Sequence, residues 1–110
     1  MPKFLIQASY TAEGTKGLLE EGAGGRRAAV EQVVTGLGGQ VEAMYFAFGQ
    51  DDVVLIVDFP DPVSMAAVSL TVKASGALHT RATPLLTVDE IDEATRRQVG
   101  FRAPGGPQVE

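Results

Sequence analysis

Cysteine is absent from this 110-residue chain, which excludes disulfides, thiolate catalysis and cysteine-ligated metal. Histidine occurs once, at His79, so no histidine cluster can hold a metal within one subunit. Positive charge is scarce: 9 Lys and Arg stand against 14 Asp and Glu, for a net charge of −5. A nucleic-acid binder needs a basic face to neutralise phosphates, and no basic run with interleaved aromatics occurs, so nucleic acid is not expected as a partner. No apolar run approaches the roughly 20 residues of a membrane helix. The opening Met1-Pro2-Lys3-Phe4-Leu5-Ile6-Gln7 lacks the apolar core of a signal peptide. These absences lead to the expectation of a cytoplasmic protein with no membrane partner, no cofactor and no bound metal.

What is present reads as one domain. Hydrophobic residues make up 45% and charged residues 21%, ordinary values for a globular chain. Phe4 to Tyr10 is a strand, with Phe4, Ile6, Ala8 and Tyr10 on one parity and Leu5, Gln7 and Ser9 on the other. Thr11 is an N-cap for a helix through Leu18 and Leu19, which Gly22-Ala23-Gly24-Gly25 must interrupt. A second helical stretch carries Val30, Val33, Val34 and Leu37 at i, i+3, i+4 and i+7, and Gly38-Gly39 ends it. Val41 to Phe48 is a second strand, placing Val41, Ala43, Tyr45 and Ala47 on one face and Glu42, Met44, Phe46 and Phe48 on the other. Gly49-Gln50-Asp51-Asp52 turns the chain into a third strand, Val53 to Phe59.

Asp61-Pro62 starts another helix, with Val63, Ala67, Leu70 and Ala74 as its expected buried stripe and Gly76 as its end. Ala77 to Leu86 is the last strand of the domain, and Pro84 places it at a sheet edge because proline donates no ladder hydrogen bond. Thr87-Val88-Asp89-Glu90 is a capping box that opens a short final helix. The order strand, helix, strand, strand, helix, strand is the α+β ferredoxin-like βαββαβ arrangement: a four-stranded antiparallel sheet, helices on one face, and one extra C-terminal helix. Residues 1–99 form the expected domain and residues 100–110 a flexible tail.

The third strand, Val53-Val54-Leu55-Ile56-Val57, is apolar on both parities. An antiparallel sheet with one wet face should alternate, and the two helices cover one face only. The final helix offers Val88, Ile91 and Val99, too thin a stripe to seal the other. The expected partner is therefore a second copy of the chain, most simply a two-fold dimer with its sheets face to face, or a higher homo-oligomer.

Candidate site residues follow from strand parity. His79 and Arg81 share one face of the last strand, and in the strand order 4-1-3-2 that strand lies beside the first. Gln7, Ser9, His79 and Arg81 then form a polar strip on which Arg81 would bind an anion and His79 act as general acid or base. The plainer reading is an edge strand whose polar residues face solvent or a subunit contact. Tyr10 and Tyr45 are candidates to present a phenol to a small-molecule ligand, against the commoner role of a ring at the core margin. Gly22-Ala23-Gly24-Gly25-Arg26-Arg27 suggests a phosphate loop but lacks its lysine, its Ser or Thr and its preceding strand, so it reads as a helix break with solvated arginines. Asp51 and Asp52 are turn residues with no third metal ligand nearby in sequence.

The chain resembles the GYD domain family. The resemblance rests on Phe4-Leu5-Ile6, Thr11, Gly14, Arg26 to Ala29, Gly38-Gly39, Tyr45 and the hairpin Gly49-Gln50-Asp51-Asp52-Val53-Val54-Leu55-Ile56-Val57, and it ends near Leu86-Thr87. The family's hairpin signature is Gly, any residue, Tyr, Asp and an apolar strand; here Gly49 and Asp52 match and Asp51 stands at the tyrosine position. The resemblance implies a ferredoxin-like fold akin to dimeric α+β barrels and no settled activity. The leading expectation is a homo-oligomeric small-molecule-binding or assembly module. The alternative is a cofactor-independent barrel enzyme of oxygenase or isomerase type, using His79 with Arg81 and a tyrosine at an oxyanion. A third is a nucleotide or phosphate sensor at Gly22 to Arg27.

Overall fold

Strand parity and helix caps shape the computed structural model, which describes residues 1–106, 108 and 109. Four strands form one antiparallel sheet: β1 (Lys3–Tyr10), β2 (Gln40–Phe46), β3 (Val53–Asp58) and β4 (Leu78–Leu85), in the order β2-β3-β1-β4. Helices α1 (Ala12–Gly36) and α2 (Pro62–Ser75) lie on one face of it. This is the expected ferredoxin-like arrangement, with Pro84 on the edge strand β4 opposite Phe4. One parity of the two central strands supplies most of the core: Phe4, Ile6 and Ala8 from β1, and Val53, Leu55 and Val57 from β3. Val34, Met65 and Phe59 complete it, and the Phe59 ring meets that of Phe4 at 6.3 Å between centroids and a tilt of 54°.

The helices begin where short polar side chains accept free backbone N–H groups. Thr11 accepts from Gly14 N at 3.2 Å, and Asp61 accepts from Ser64 N at 2.7 Å with Pro62 beside it in the first turn. Gly14 lies so close to the Ala77 carbonyl that a Cβ there would clash with it, and Thr11 N donates to that same carbonyl at 3.0 Å. The glycine thus joins the start of α1 to the turn before β4. The break expected at the glycine cluster falls at Gly22, with φ 78° and ψ 165°, a conformation only glycine adopts readily.

Two expected faces are corrected by the structure. On α2, Val63 and Leu70 are exposed, while Met65 is buried and Val68 packs against the core. The helix is apolar almost all round, so its periodicity offered two stripes, and the one holding the long Met65 side chain reaches the core. On β2, a bulge between Val41 and Ala43 inserts Glu42 as an extra residue. Val41 therefore pairs with core-facing Val57 and joins Met44 and Phe46 on the helix side, leaving Ala43 and Tyr45 on the other face. The strands are also shorter than expected: β2 stops at Phe46, β3 at Asp58 and β4 at Leu85.

Beyond β4, helix α3 (Val88–Thr95) opens with the expected capping box, Thr87 Oγ1 accepting from Glu90 N at 3.0 Å and Glu90 Oε1 accepting from Thr87 N at 2.8 Å. Within the stretch read as a tail, β5 (Phe101–Arg102) pairs with β6 (Gln108–Val109); residues 107 and 110 of that stretch lie outside the described residues. Neither α3 nor this short ladder packs substantially on the sheet or its two helices. The radius of gyration is accordingly 18.0 Å with a longest dimension of 60 Å, against about 13 Å for a compact chain of this length. No helix among the described residues is long and apolar enough to cross a membrane.

Candidate functional site

The sheet presents two different chemical surfaces. On the face away from the helices, the β1–β4 register sets Gln7 opposite Arg81 and Ser9 opposite His79, so the four polar candidates come together. The hairpin between β2 and β3 folds over them. Arg81 Nη2 meets Asp51 Oδ2 at 2.6 Å, Gln7 Nε2 donates to the same oxygen at 3.5 Å, and Ser9 Oγ donates to the Gln50 carbonyl at 3.1 Å. Arg81 is thus already paired with a carboxylate rather than open to an incoming anion. His79 is exposed on the edge strand. Tyr45 of β2 lies on this face too, opposite Val54 of β3 and mostly exposed, but β3 and β1 separate it from β4.

Between this strip and the opposite end of the face lies an apolar centre. Leu5 and Ile56 are register partners, Ile56 also faces Ala43, and all three are half-buried. At the far end Lys3 Nζ reaches Asp58 Oδ1 at 2.9 Å and Glu42 Oε1 at 3.0 Å, while Gln40 Nε2 donates to Asp58 Oδ2 at 3.1 Å. The Lys3 hydrogen bond holds the Asp58 carboxyl below its ordinary range against the opposing effect of burial. The result is an apolar patch bounded by two polar clusters, one neutral (Asp51 with Arg81) and one with a single net negative charge (Lys3 with Asp58 and Glu42).

Tyr10 has the other parity and faces the helices. There α1 and α2 stand apart over the sheet, leaving a cleft of about 140 Å³ lined by Ile6, Val30, Val34, Leu55, Val72 and Leu78. Its polar members are Tyr10, Arg26 and Thr80. Arg26 Nε is buried and has no hydrogen-bond partner among the described residues; its Nη1 lies 3.7 Å from Glu21 Oε2. Burial raises the Tyr10 phenol above its ordinary 10.0, with the Arg26 charge opposing, so the hydroxyl is a neutral donor at neutral pH. Arg27, by contrast, is exposed and pairs with Glu31 at 2.8 Å, so the two adjacent arginines do not act together.

Sequence reasoning read Arg26 as solvated and passed over Thr80. A signal for Arg26 existed, since it precedes Val30 by one helical turn on the stripe that continues to Val34. For Thr80 the signal was its register opposite buried Ala8.

The family model of the GYD domain matches residues 4–95. The chain belongs to the GYD domain family. No curated protein matches it. Within this GYD domain the signature residue Asp52 ties two strands together. Its N–H donates to Ala8 O at 2.8 Å, and its Oδ2 accepts from Tyr10 N at 2.8 Å. It continues the β1–β3 pairing past the end of β3 and fixes the strand that carries Tyr10. Asp51, at the signature's tyrosine position, points to the other face and holds Arg81. Asp51 and Asp52 are thereby committed to separate faces, and among the described residues no three His, Asp or Glu side chains gather as a metal site requires.

Proposed function

We propose that this GYD domain is a homodimeric small-molecule-binding module, its sheets packed face to face and a ligand cleft inside each protomer. The observation that carries the assembly is the open sheet face, where Leu5, Ala43, Val54 and Ile56 are half-buried within the sheet and, among the described residues, no helix packs substantially over them. An apolar centre with a polar rim is the usual plan of a protein interface. Four strands about 4.8 Å apart and about 25 Å long present on the order of 500 Å² per protomer. A stable interface needs about 800 Å² per partner. The C-terminal segment supports the difference: Leu86, Val88, Ile91, Val99 and Phe101 are all exposed, and among the described residues neither α3 nor the β5–β6 ladder packs substantially on the sheet. Laid on the partner, they add the missing area.

A catalytic reading at His79 has less support. Its arginine is held by Asp51, the tyrosine nearest in sequence to the strip faces the other way, and His79 itself sits exposed on an edge strand. Sedimentation equilibrium at micromolar concentration tests the assembly. The expected species is a dimer that Ile56→Lys converts to a folded monomer, because the lysine falls at the centre of the proposed contact. A wild-type chain that sediments as a monomer refutes the assembly.

A further inference from the structure

We propose that the cleft between α1, α2 and the sheet binds a compact apolar carboxylate, with its hydrocarbon on Ile6, Leu55 and Val72 and its carboxylate on Arg26 and Tyr10. This rests on the reading of the chain as a small-molecule binder but not on its assembly, since the cleft lies within one protomer on the helix side of the sheet.

Three observations carry it. The first is size. At about 140 Å³ the cleft is close to the cavity of about 150 Å³ that accepts benzene in an apolar protein interior, which sets the ligand at one ring or a short branched chain. The second is the polar complement. Among the described residues the Tyr10 hydroxyl, the Thr80 hydroxyl and Arg26 Nε make no hydrogen bond within the chain, yet all three residues line the same cleft. Buried donors are almost always paired, and Arg26 Nε, the buried one of the three, lacks an acceptor, with the two hydroxyls beside it free to donate as well. The third is charge. A guanidinium favours an anion, and its planar fork matches the two oxygens of a carboxylate. Glu21 forms an ion pair with Arg26 Nη1 at 3.7 Å, too long for a hydrogen bond, so a ligand carboxylate hydrogen-bonded to the guanidinium would displace the weaker partner. Free inorganic phosphate does not suit the cleft, because among the described residues Arg26 is the sole cation lining it and the rest of the wall is mostly apolar.

The test is a methyl NMR titration of the full chain with benzoate, its neutral isostere benzamide, and acetate. Benzoate is expected to shift the methyl signals of Ile6, Val30, Leu55 and Val72 and to bind at least tenfold more tightly than benzamide, with acetate far weaker. Arg26→Gln should bring benzoate down to the affinity of benzamide and leave benzamide unchanged, a pattern that general loosening of the helix cannot produce. Tyr10→Phe, which keeps the ring, should weaken benzoate severalfold. Val72→Phe fills the cleft and should abolish both. Equal binding of benzoate and benzamide at these methyls overturns the carboxylate assignment while leaving a small-molecule cleft. Shifts confined to the open face, or no shift with any probe at millimolar concentration, overturn the cleft as a binding site altogether.

Discussion

Replacing Lys3 by Met tests the polar cluster at one end of the open face. The substitution keeps the aliphatic stem and removes the charge that meets Asp58 at 2.9 Å. Asp58 is only 7% exposed, and without Lys3 its carboxylate retains a single side-chain donor, Gln40. Stranding a buried carboxylate in this way costs about 1–3 kcal/mol. Because the Lys3 side chain is itself 27% exposed, water partly replaces it, and we expect about 2 kcal/mol at neutral pH.

The pH dependence of that loss is the sharper test. The Lys3 hydrogen bond lowers the Asp58 carboxyl below its ordinary 3.8, and the bonds to Asp58 and Glu42 raise the Lys3 ammonium above its ordinary 10.5. A lowered carboxyl contributes stability above its unfolded pKa, and that contribution disappears as pH falls through the folded value. A raised ammonium contributes below its unfolded pKa and loses that contribution as pH rises through the folded value. The difference between wild type and Lys3→Met should therefore form a plateau from about pH 5 to about pH 10 and shrink progressively as pH falls below the ordinary carboxyl value of 3.8. Urea unfolding at one fixed protomer concentration measures it, since the stability of a dimer depends on concentration. A difference that stays constant from pH 7 to pH 3 refutes the ion pair as its source.

Three glycines on one helix should respond differently to alanine. Gly17 has open space around its missing Cβ, so Gly17→Ala is expected to stabilise by about 0.5–1 kcal/mol. Gly14→Ala drives a methyl against the Ala77 carbonyl and should cost about 1–3 kcal/mol. Gly22→Ala should also destabilise despite the helix propensity of alanine, because the φ of 78° costs a residue with a Cβ about 1–3 kcal/mol; thermal melts of the three variants rank them. Asp52→Ala removes the acceptor of the Tyr10 N–H and should cost about 1.5–3 kcal/mol, with faster amide exchange at Tyr10. Unchanged exchange there would show that the clamp does not hold β1.

Much of this fold is legible because its central strands are chemically unambiguous. Phe4, Ile6 and Ala8 alternate with Gln7 and Ser9, and no other register buries the first set. Pro84 allowed only an edge strand, and the Thr11, Asp61 and Thr87 caps marked each helix start. The misread features are ones that sequence periodicity cannot resolve. A single inserted residue at Glu42 reverses the facing of Val41 without changing the strand's composition. Helix α2 carries apolar residues on nearly every side, so only docking chose Met65 over Val63. Gly22 resets the helical phase of α1, which hid the direction of Arg26 from anyone counting turns from Thr11. Gln7, Ser9, His79 and Arg81 could be grouped from strand parity, but Asp51 is 30 residues from Arg81 and joins them only through a loop folding over the sheet.

That loop explains how one departure from the family pattern is accommodated. A tyrosine at position 51 would add an aromatic ring to the open face beside Gln7 and Ser9, enlarging its apolar part. Asp51 instead brings a carboxylate that is only 16% exposed on its side chain, and an unpaired carboxylate so placed would oppose contact with a second sheet. Arg81 removes that opposition: at 2.6 Å it neutralises Asp51 while remaining 59% exposed itself, so the charge is satisfied within the protomer before any partner arrives. At the opposite end the same logic covers the buried Asp58, which Lys3 meets at 2.9 Å, while Glu42 shares that lysine and leaves one negative charge over. The Asp51 end of the face is thus electrostatically closed and its centre is apolar, while the one negative charge left at the other end falls away from that centre, with the Glu42 side chain 49% exposed. The face therefore suits a copy of itself, since a two-fold contact brings identical groups together and any unneutralised charge near the axis would repel its own image.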